Sequence, residues 1–546
     1  MSSYSTSPTP TVKLAQGTVV GTTLVNGNLP DIEAFRGIPY AIPPIGDRRF
    51  RAPIPVPPSD DTIDASKFGH VAPGKPLFHG GPAYEYSEDC LTANVFRTRR
   101  SQKEDSELWP VAVYFHAGAF NRGTSSMYNA PSFLAHSGQR LIVVTFNYRI
   151  GALGFLPSTL SAEEGVLNLG LKDQALLMEW VKDNIGAFGG DANNVALYGL
   201  SAGAHSIGHH LLRDEDPQKS PLYHRVIMES GAPTSRAVRP YNAPTHEQQF
   251  SDFLREVGCP LGLSSKDTFA FLRQAPTEVI QAAQIKVFNN YNPSLSWAFQ
   301  PVIDGEMIPR PPIESWRLNK WRKVPIMTGF TRNEGSIYIS KSVSESSQFT
   351  QFFAELLPLL SSEDIETIRN LYPDPLEYKD SPYNEQLKGT GAQYRRLEAA
   401  YGHYAYVAPA RQTAELASTS MGKPVYLYQW ALESTKLDGA RHGDNMYYES
   451  CEPSKTNISE SQKQLALDVN SRIASFLVSG DPNTHFTQDG PKWERYDVRQ
   501  PKAMVFGLEN KELVGGKPGP SSVLMDDDWA RKESEFWWSK VDISQQ

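Results

Sequence analysis

The stretch Gly199-Leu200-Ser201-Ala202-Gly203 places a Gly-x-Ser-x-Gly pattern between two different kinds of sequence. Before it, Asn194 to Tyr198 form an apolar run typical of a buried strand, and after it Ala202 to Leu212 predict a helix. A serine on such a turn is held exposed in a strained conformation, and only small neighbours let strand and helix pack closely. The context favours a nucleophile at Ser201, although the motif alone leaves an ordinary glycine-rich turn open.

Further runs of the same kind lie on both sides of this turn. They are short, rich in β-branched and aromatic residues, and too apolar for a half-exposed sheet. The predicted strands are Val111 to His116, Leu141 to Asn147, Asn194 to Tyr198, Tyr223 to Glu229, Val324 to Gly329 and Pro424 to Trp430. Helical patterns such as Leu171 to Asn184 separate them. This alternation predicts an α/β fold, with a large, mostly parallel central sheet flanked by helices.

A second candidate loop follows an earlier strand. His116-Ala117-Gly118-Ala119-Phe120 comes directly after Val111 to Phe115, and its small residues allow backbone amides to approach a substrate. A nucleophilic serine needs such amides, together with the one just after it, to hold the tetrahedral oxyanion. Taken alone, the loop is equally compatible with a plain Gly/Ala turn that ends a strand.

Composition excludes several classes of function. The chain has 546 residues, with 53 Lys and Arg against 61 Asp and Glu, and a net charge of −8. Without a long basic run, it offers no electrostatic footprint for nucleic acid. No apolar stretch approaches the ~18 residues that a membrane-spanning helix needs, so we expect no transmembrane segment.

The N-terminus and the cysteines suggest a cellular location. Residues 1–10 read as a polar tail and not as a secretion signal. The chain has three cysteines, Cys90, Cys259 and Cys451, an odd number that suits a reducing compartment. We therefore expect an intracellular protein with three free thiols.

The chain shows no repeat and no stretch with the composition of a flexible linker. Residues 1–546 are expected to form a single domain. Residues about 340–420 differ from the rest, because they show helical periodicity and many charges but almost no β-type run. We interpret them as a helical insertion over the carboxyl edge of the sheet, where open α/β folds bind ligands.

Taken together, these motifs resemble the type-B carboxylesterases, α/β-hydrolases that include cholinesterases, related fungal lipases and the non-catalytic neuroligins. The likeness runs from near the N-terminus to about residue 500 and is that of a fungal-type member. Besides the serine turn, the matching stretches are Phe35 to Ala41, Ser87 to Leu91, Asn147 to Arg149, Gly189 to Asp191, Glu229 to Gly231 and Gly480 to Asn483. The resemblance implies the α/β-hydrolase fold.

The resemblance also implies the rest of a catalytic triad. The family acid is a glutamate followed by glycine after a late strand, which matches Glu334, and the family histidine precedes a glycine, which matches His442. The order of Ser201, acid and histidine is that of this fold. The oxyanion donors would be the amides of Gly118, Ala119 and Ala202.

Other residues are assigned supporting roles by the same resemblance. Ser230 occupies the position that hydrogen-bonds the triad acid, and Glu88 and Arg149 match a buried ion pair. Of the other histidines, we expect His116 to be structural at the oxyanion loop. His205, His209 and His210 are expected to be helix-face residues.

The chain departs from the family at several positions. Leu200 stands where cholinesterases carry a glutamate, and no Trp occurs between Phe50 and Leu108 to meet a choline cation. No preference for choline esters is therefore expected. Ala119 replaces a glycine and adds a methyl group near the acyl side. No cysteine precedes Cys90, so the disulfide of many secreted relatives cannot form here.

The sequence thus predicts a serine carboxylesterase that hydrolyses a neutral or apolar ester through an acyl-enzyme on Ser201. An acyltransferase or another biosynthetic enzyme with the same triad is the first alternative, and a non-catalytic adhesion or scaffold protein is the second. We expect no cofactor and no metal, because no His, Cys or acid cluster has metal-ligand spacing. The expected partner is a small-molecule ester; the oligomeric state does not follow from the sequence.

Overall fold

The strands of the protein form a large sheet and a small one. The computed structural model describes residues 9–25, 27–76, 84–99, 107–214, 216, 218–236, 238–385, 387–419, 422–486 and 488–544. Within these ranges the strands are β1 Thr11–Leu14, β2 Gly17–Val20, β3 Thr22–Leu24, β4 Ile32–Pro39, β5 Thr62–Asp64, β6 Thr92–Thr98, β7 Trp109–Phe115, β8 Ile142–Phe146, β9 Gly190–Leu200, β10 Arg225–Glu229, β11 Ile326–Thr331, β12 Val425–Trp430, β13 Lys502–Phe506 and β14 Ser522–Asp526.

The large sheet has 11 strands in the order β14-β13-β12-β11-β10-β9-β7-β8-β6-β4-β3. Neighbours from β8 through β13 pair in parallel, whereas β3, β4, β6 and β14 pair antiparallel at the two ends. The small sheet joins β1, β2 and β5. The predicted α/β fold with a mostly parallel central sheet is confirmed.

The helices cover the sheet and fill the connections between its strands. They are α1 Ala130–Ser137, α2 Gly151–Gly154, α3 Thr159–Glu164, α4 Leu169–Asn184, α5 Ala202–Leu212, α6 Pro244–Val257, α7 Ser265–Gln274, α8 Thr277–Tyr291, α9 Pro312–Arg317, α10 Ser346–Leu356, α11 Ser362–Leu371, α12 Tyr394–Gly402, α13 Ala408–Ser418, α14 Asn445–Glu449, α15 Pro453–Thr456, α16 Glu460–Ser479, α17 Arg531–Ser539 and α18 Val541–Ser544. A π-helical turn, His403–Val407, joins α12 to α13.

Each predicted strand is present, with small changes in its bounds. The largest change is in β9, which begins at Gly190 because Gly190 pairs with Trp109 ahead of a bulge in the β7–β9 ladder. The polar residues there, such as Asn193, gave no strand pattern because they lie at the exposed start of the strand. Helix α5 has the bounds that the sequence predicted.

The order of the strands reverses at β7. From β7 the chain moves outward to β8 and then returns to β9 on the other side of β7. Ligands of open α/β sheets bind at such a reversal, because the loops that leave the two strands diverge there. Phe115 pairs with Gly199, so the loop after β7 and the serine turn after β9 start level with each other.

Apolar side chains pack on both faces of the large sheet and beneath the late helices. Phe115 and Leu197 belong to the cluster on one face, and Tyr198 and Ile227 to that on the other. A third cluster lies among the helices of residues 346–418 and includes Phe349. Within the described ranges, no helix is long and apolar enough to cross a membrane.

The ion pairs near the N-terminal strands differ from the prediction. Glu88 pairs with Arg49, whose Nε lies 2.7 Å from Glu88 Oε2, and Arg149 pairs with Asp173, with Nε and Oδ2 2.8 Å apart. The predicted Glu88–Arg149 pair is therefore wrong. Asp173 lies on α4 and also accepts the Arg149 amide, a contact across the fold that the order of residues does not reveal. Residues 1–8 of the predicted polar tail lie outside the described part of the chain.

Candidate active site

Ser201 lies on the tight turn between β9 and α5. Its backbone has φ 57° and ψ −120°, a conformation that residues other than glycine rarely adopt. The start of α5 can pack this closely against the end of β7 because Gly203 has no side chain. An added Cβ would lie 2.0 Å from the carbonyl oxygen of Phe115. The Ser201 amide donates to the carbonyl of Glu229 at 2.8 Å, which holds the turn against β10.

The three backbone amides that the resemblance assigns to the oxyanion lie in two loops. Gly118 and Ala119 follow β7, and Ala202 is the first residue of α5. Among the described groups, none of these three amides donates a hydrogen bond. Gly118 has φ 130°, and a Cβ there would lie 2.0 Å from the carbonyl oxygen of Arg122. The amides are thus available to a ligand, and the loop tolerates no side chain at Gly118.

Glu334 and His442 are in direct contact although they are 108 residues apart. Glu334 Oε2 accepts from His442 Nδ1, and its other oxygen accepts from the Thr331 amide at 2.7 Å. The carboxylate is fully buried and the imidazole side chain is 6% exposed. His442 Nε2 has no hydrogen-bond partner within the described ranges, so it is free to exchange a proton. This is the arrangement in which an acid orients a histidine base.

Asn333 joins the loop that carries the acid to the loop that carries the histidine. Its amide donates to the carbonyl of Ala440 at 3.0 Å, and its side-chain oxygen accepts from the Ala440 amide at 3.0 Å. Its Nδ2 donates to Glu398 Oε1 on α12 at 2.9 Å. No sequence motif marks Asn333, and its position beside Glu334 is the only signal of a role that the sequence carries.

Ser201 and His442 line the same cavity, which has a volume of about 350 Å³. The oxyanion-loop residues Gly118 and Ala119 also line it, with Leu200 on the floor. The remaining walls are mainly apolar or aromatic and include Met127, Trp297, Ile337, Tyr338, Met446 and Tyr447. Tyr406 packs on the His442 ring with 4.7 Å between centroids, which limits its movement.

Three cationic side chains, Lys75, Arg122 and Arg441, lie around this cavity. None of its described lining residues is an aspartate or glutamate. Burial lowers the pKa of Arg122, as expected of a guanidinium partly removed from water. The electrostatic character of the cavity is therefore unfavourable to a cationic substrate.

The four other histidines considered in the sequence, His116, His205, His209 and His210, are all buried. His116 stacks on Tyr148 with 4.3 Å between centroids, and burial lowers its pKa to about 4. His210 Nε2 contacts Gln174 Oε1 at 3.0 Å. His205 and His209 line a second cavity and do not face solvent, which differs from a simple helix-face role.

Ser230 does not make the predicted contact. It lies on the strand end beside the serine turn with φ 48°, and its amide donates to the carbonyl of Gly329 at 2.8 Å. Its hydroxyl is buried and has no partner within the described ranges. The expected hydrogen bond to Glu334 is therefore absent, and the Glu334 oxygens accept from the Thr331 amide and from His442 instead.

Comparison with known proteins agrees with this geometry. The sequence profile of the family described as "Carboxylesterase family" matches residues 8–537. The chain belongs to the carboxylesterase family. It is a carboxylic ester hydrolase of the serine esterase class with the α/β-hydrolase fold, as the sequence predicted.

The relatives of this carboxylesterase include fungal and bacterial proteins. It is 34% identical to "Secreted lipase 4" of Gibberella zeae, over 96% of this chain and 91% of the relative. It is 32% identical to the para-nitrobenzyl esterase of Bacillus subtilis, over 90% of this chain and 94% of the relative. The crystal structure of Aspergillus niger EstA superposes with a TM-score of 0.81 at 25% identity, over 98% and 99% of the two chains.

The secreted relative contradicts the predicted intracellular location of this carboxylesterase. The prediction relied on reading residues 1–10 as a polar tail and on an odd number of cysteines. Cys90, Cys259 and Cys451 are all free and buried, and burial raises the pKa of the Cys451 thiol to about 12. Buried, protonated thiols are inert in oxidising and reducing surroundings alike. The cysteine count therefore does not report the compartment of this protein.

Proposed function

We propose that Ser201 is the nucleophile of this esterase, with His442 as its general base and Glu334 as the acid that orients the histidine. A serine hydroxyl is a poor nucleophile until a base takes its proton. The observation that carries the proposal is the contact between Glu334 and His442 at the wall of the cavity that Ser201 lines. The family resemblance assigns the same three residues to these roles.

The reaction would proceed in two halves. His442 Nε2 takes the hydroxyl proton as Ser201 Oγ attacks the ester carbonyl, and then gives the proton to the leaving alcohol. Water attacks the resulting acyl-enzyme with the same histidine as base, releasing the carboxylic acid and restoring Ser201. Glu334 stabilises the imidazolium that forms in both halves.

The oxyanion of each tetrahedral intermediate would be held by the amides of Gly118, Ala119 and Ala202. Their lack of other hydrogen-bond partners supports this role. Removing one such donor typically costs about 3 kcal/mol of transition-state stabilisation.

The test is hydrolysis of p-nitrophenyl esters from acetate to long acyl chains by wild type and Ser201→Ala. We expect activity in wild type and a loss of about 10⁴-fold or more in the variant. A fluorophosphonate probe should label wild type and not Ser201→Ala. Labelling of the variant, or undiminished hydrolysis by it, would remove Ser201 from the mechanism.

We further propose that choline esters are not preferred substrates. The cationic rim formed by Lys75, Arg122 and Arg441, and Leu200 in place of a glutamate, support this. Acetylthiocholine should be turned over more slowly than a neutral thioester of similar size. Equal rates would contradict the proposal.

The organisation and location of the chain are also proposals. We propose that residues 1–546 form one domain in which residues about 340–420 are a helical insertion, since contacts such as that of Asn333 with Glu398 join the two parts. The name of the Gibberella zeae relative favours secretion of this protein as well. Detection of the natural protein in the medium of its source organism would test this.

A further inference from the structure

A second cavity adjoins the one that Ser201 lines. It is small, about 50 Å³, and Trp297 forms part of the wall of both. Phe120, which follows the oxyanion-loop residue Ala119, lies on its lining as well. A space of this size is well above the ~10–15 Å³ that one water molecule requires. It can therefore accept a small polar group.

The lining of this second cavity is basic. Arg236 and Arg239 both line it, and none of its described lining residues is an aspartate or glutamate. Neither guanidinium forms an ion pair with a described carboxylate. The two arginines therefore bring positive charge to a confined space without a compensating group from the described chain.

Arg236 and Arg239 are partly buried, which makes their uncompensated charge unfavourable for the protein alone. Burial lowers the pKa of Arg239, which is how a cation responds to the loss of water. Buried charges in proteins are normally paired. Elsewhere this chain follows that rule, since its buried Arg149, Arg396 and Arg411 each contact an aspartate. An anionic ligand would complete the same arrangement at Arg239.

Three histidines add neutral donors and acceptors to the lining. His205, His209 and His246 all line the cavity, and each has one buried ring nitrogen without a described partner. Burial lowers the pKa of His209 to about 3 and that of His246 to about 4. They are uncharged at neutral pH, so the charge of the cavity comes from the two arginines.

Arg236 is held in position and connected to the oxyanion loop. Its guanidinium lies 4.7 Å from the centre of the Trp297 ring, and its Nη2 donates to Gln300 Oε1 at 3.3 Å. Gln300 Nε2 in turn donates to the carbonyl of Ala119 at 3.0 Å. The backbone of Arg236 has φ 57°, an unfavourable conformation for a side-chain-bearing residue. The fold thus fixes this arginine beside the catalytic machinery.

From this geometry we propose that the cavity lined by Arg236 and Arg239 binds a carboxylate, as a subsite next to the one in which the ester reacts. Arginine recognises carboxylates through paired N–H donors, and an apolar tail could not compensate the two charges. The carboxylate is either the far end of the acyl group of an ester bound at Ser201, or a free carboxylic acid. Neutral esters remain substrates, because the triad acts on the ester bond itself.

This inference rests on the proposed role of Ser201 and is tested by a ratio of two activities. The first probe series is the p-nitrophenyl monoesters of linear dicarboxylic acids, and the second is the neutral p-nitrophenyl esters of equal chain length. After subtraction of uncatalysed hydrolysis, kcat/KM is measured for both. The quantity compared is kcat/KM for the acid-terminated ester divided by kcat/KM for the neutral ester of the same chain length. For at least one chain length, Arg236→Gln and Arg239→Gln should each lower this ratio about 30-fold or more, mainly through a higher KM for the acid-terminated ester. Arg236→Lys, which keeps the charge, should restore part of it.

A second arm separates the two sources of the carboxylate. Free hexanoate and adipate are titrated calorimetrically into the Ser201→Ala protein, with and without Arg239→Gln. If Arg239→Gln leaves the kcat/KM ratio of the two ester series unchanged but abolishes binding of the free acid, the ligand is a free carboxylic acid. Arg48→Gln makes the same change of charge at an exposed arginine and should alter neither measurement.

The proposal is overturned if wild type disfavours every acid-terminated ester and binds no free carboxylate. It is equally overturned if both measurements are the same in the arginine variants as in wild type. A wrong assignment of the nucleophile would give a different result, because Ser201→Ala would then still hydrolyse the neutral p-nitrophenyl esters. The wild-type measurements do not depend on whether a variant folds.

Discussion

At the scale of single residues, small side chains and unusual backbone angles set the geometry around the proposed nucleophile. Ser201 is held at φ 57° because Gly203 allows α5 to approach β7, and Gly118 turns the oxyanion loop at φ 130°. Neither glycine could be replaced without moving backbone, because the nearest atoms are carbonyl groups. Catalytic geometry here depends on missing side chains as much as on present ones.

Gly118→Ala tests this dependence. The new Cβ would meet the Arg122 carbonyl oxygen at 2.0 Å, so the loop must shift and its amides leave the oxyanion position. We expect kcat for p-nitrophenyl butyrate to fall about 100-fold or more, with a smaller effect on KM. Gly186→Ala is the matched control, since a Cβ there meets nothing within 4 Å. Equal kinetics of the two variants would rule out the proposed oxyanion role.

Glu398 provides a test by pH. Burial raises its pKa from 4.5 to about 7, so the folded state retains a proton that the unfolded chain has released between these values. Its contribution to stability is therefore lost as the pH rises through this window. Glu398→Gln keeps an oxygen acceptor for Asn333 and should stabilise the protein by up to about 3 kcal/mol above pH 7.

Denaturant unfolding of wild type and Glu398→Gln across acidic to alkaline pH measures this difference. The two proteins should have similar stability near pH 4, where both side chains are neutral, and diverge as the pH rises. Glu179→Gln, at an exposed position on α4, serves as the control. A difference in unfolding free energy that is constant with pH would show that folding does not shift the pKa of Glu398.

At the scale of elements, the site is assembled from loops at the carboxyl ends of neighbouring parallel strands. The loops after β7, β9, β11 and β12 carry the proposed oxyanion amides, Ser201, Glu334 and His442. Parallel pairing brings these ends to one edge, and the reversal at β7 opens space between them. Asn333 then fixes the acid loop against the histidine loop.

Asn333→Ala removes that connection while leaving every proposed catalytic side chain in place. The Glu334–His442 contact would lose its alignment, and a displacement of about 1 Å can cost about 100-fold in rate. We expect kcat to fall about 10- to 100-fold with a largely unchanged circular dichroism spectrum. Asn193→Ala, at an exposed position, is the control. Full activity of Asn333→Ala would show that the strands alone position the two loops.

At the scale of the whole molecule, burial decides what the cysteines can do. Cys90 and Cys451 are fully buried and Cys259 is 4% exposed. Their environment differs from that of reactive thiols, which are exposed and lie near positive charge. For this reason, an odd number of cysteines is also compatible with the extracellular location that the secreted relative suggests.

Thiol titration tests this packing. Without reductant, Ellman's reagent should react with three thiols after unfolding in guanidinium chloride and with almost none in the folded protein. Reaction should follow global unfolding, because none of the three lies at the surface. Fewer than three thiols in the unfolded protein would reveal a disulfide that the described structure does not contain.

The sequence by itself determined the sheet and the serine turn. Strand runs and the turn are local patterns, since apolar periodicity and small residues act over a few neighbours. The acid and histidine were found through resemblance to a family, not through spacing. Their contact then appeared in the structure without having been used to select them.

Only the tertiary structure decided which charged groups meet. Contacts between distant segments give Glu88 and Arg149 their partners and connect Asn333 to the histidine loop. Such packing also places Arg236 and Arg239 around one cavity. Ion pairs and cavities depend on distances of a few ångströms between such segments, and a linear pattern carries no information about them. The nature of the chemistry was thus readable from residues, whereas the shape and charge that select a substrate arise from packing.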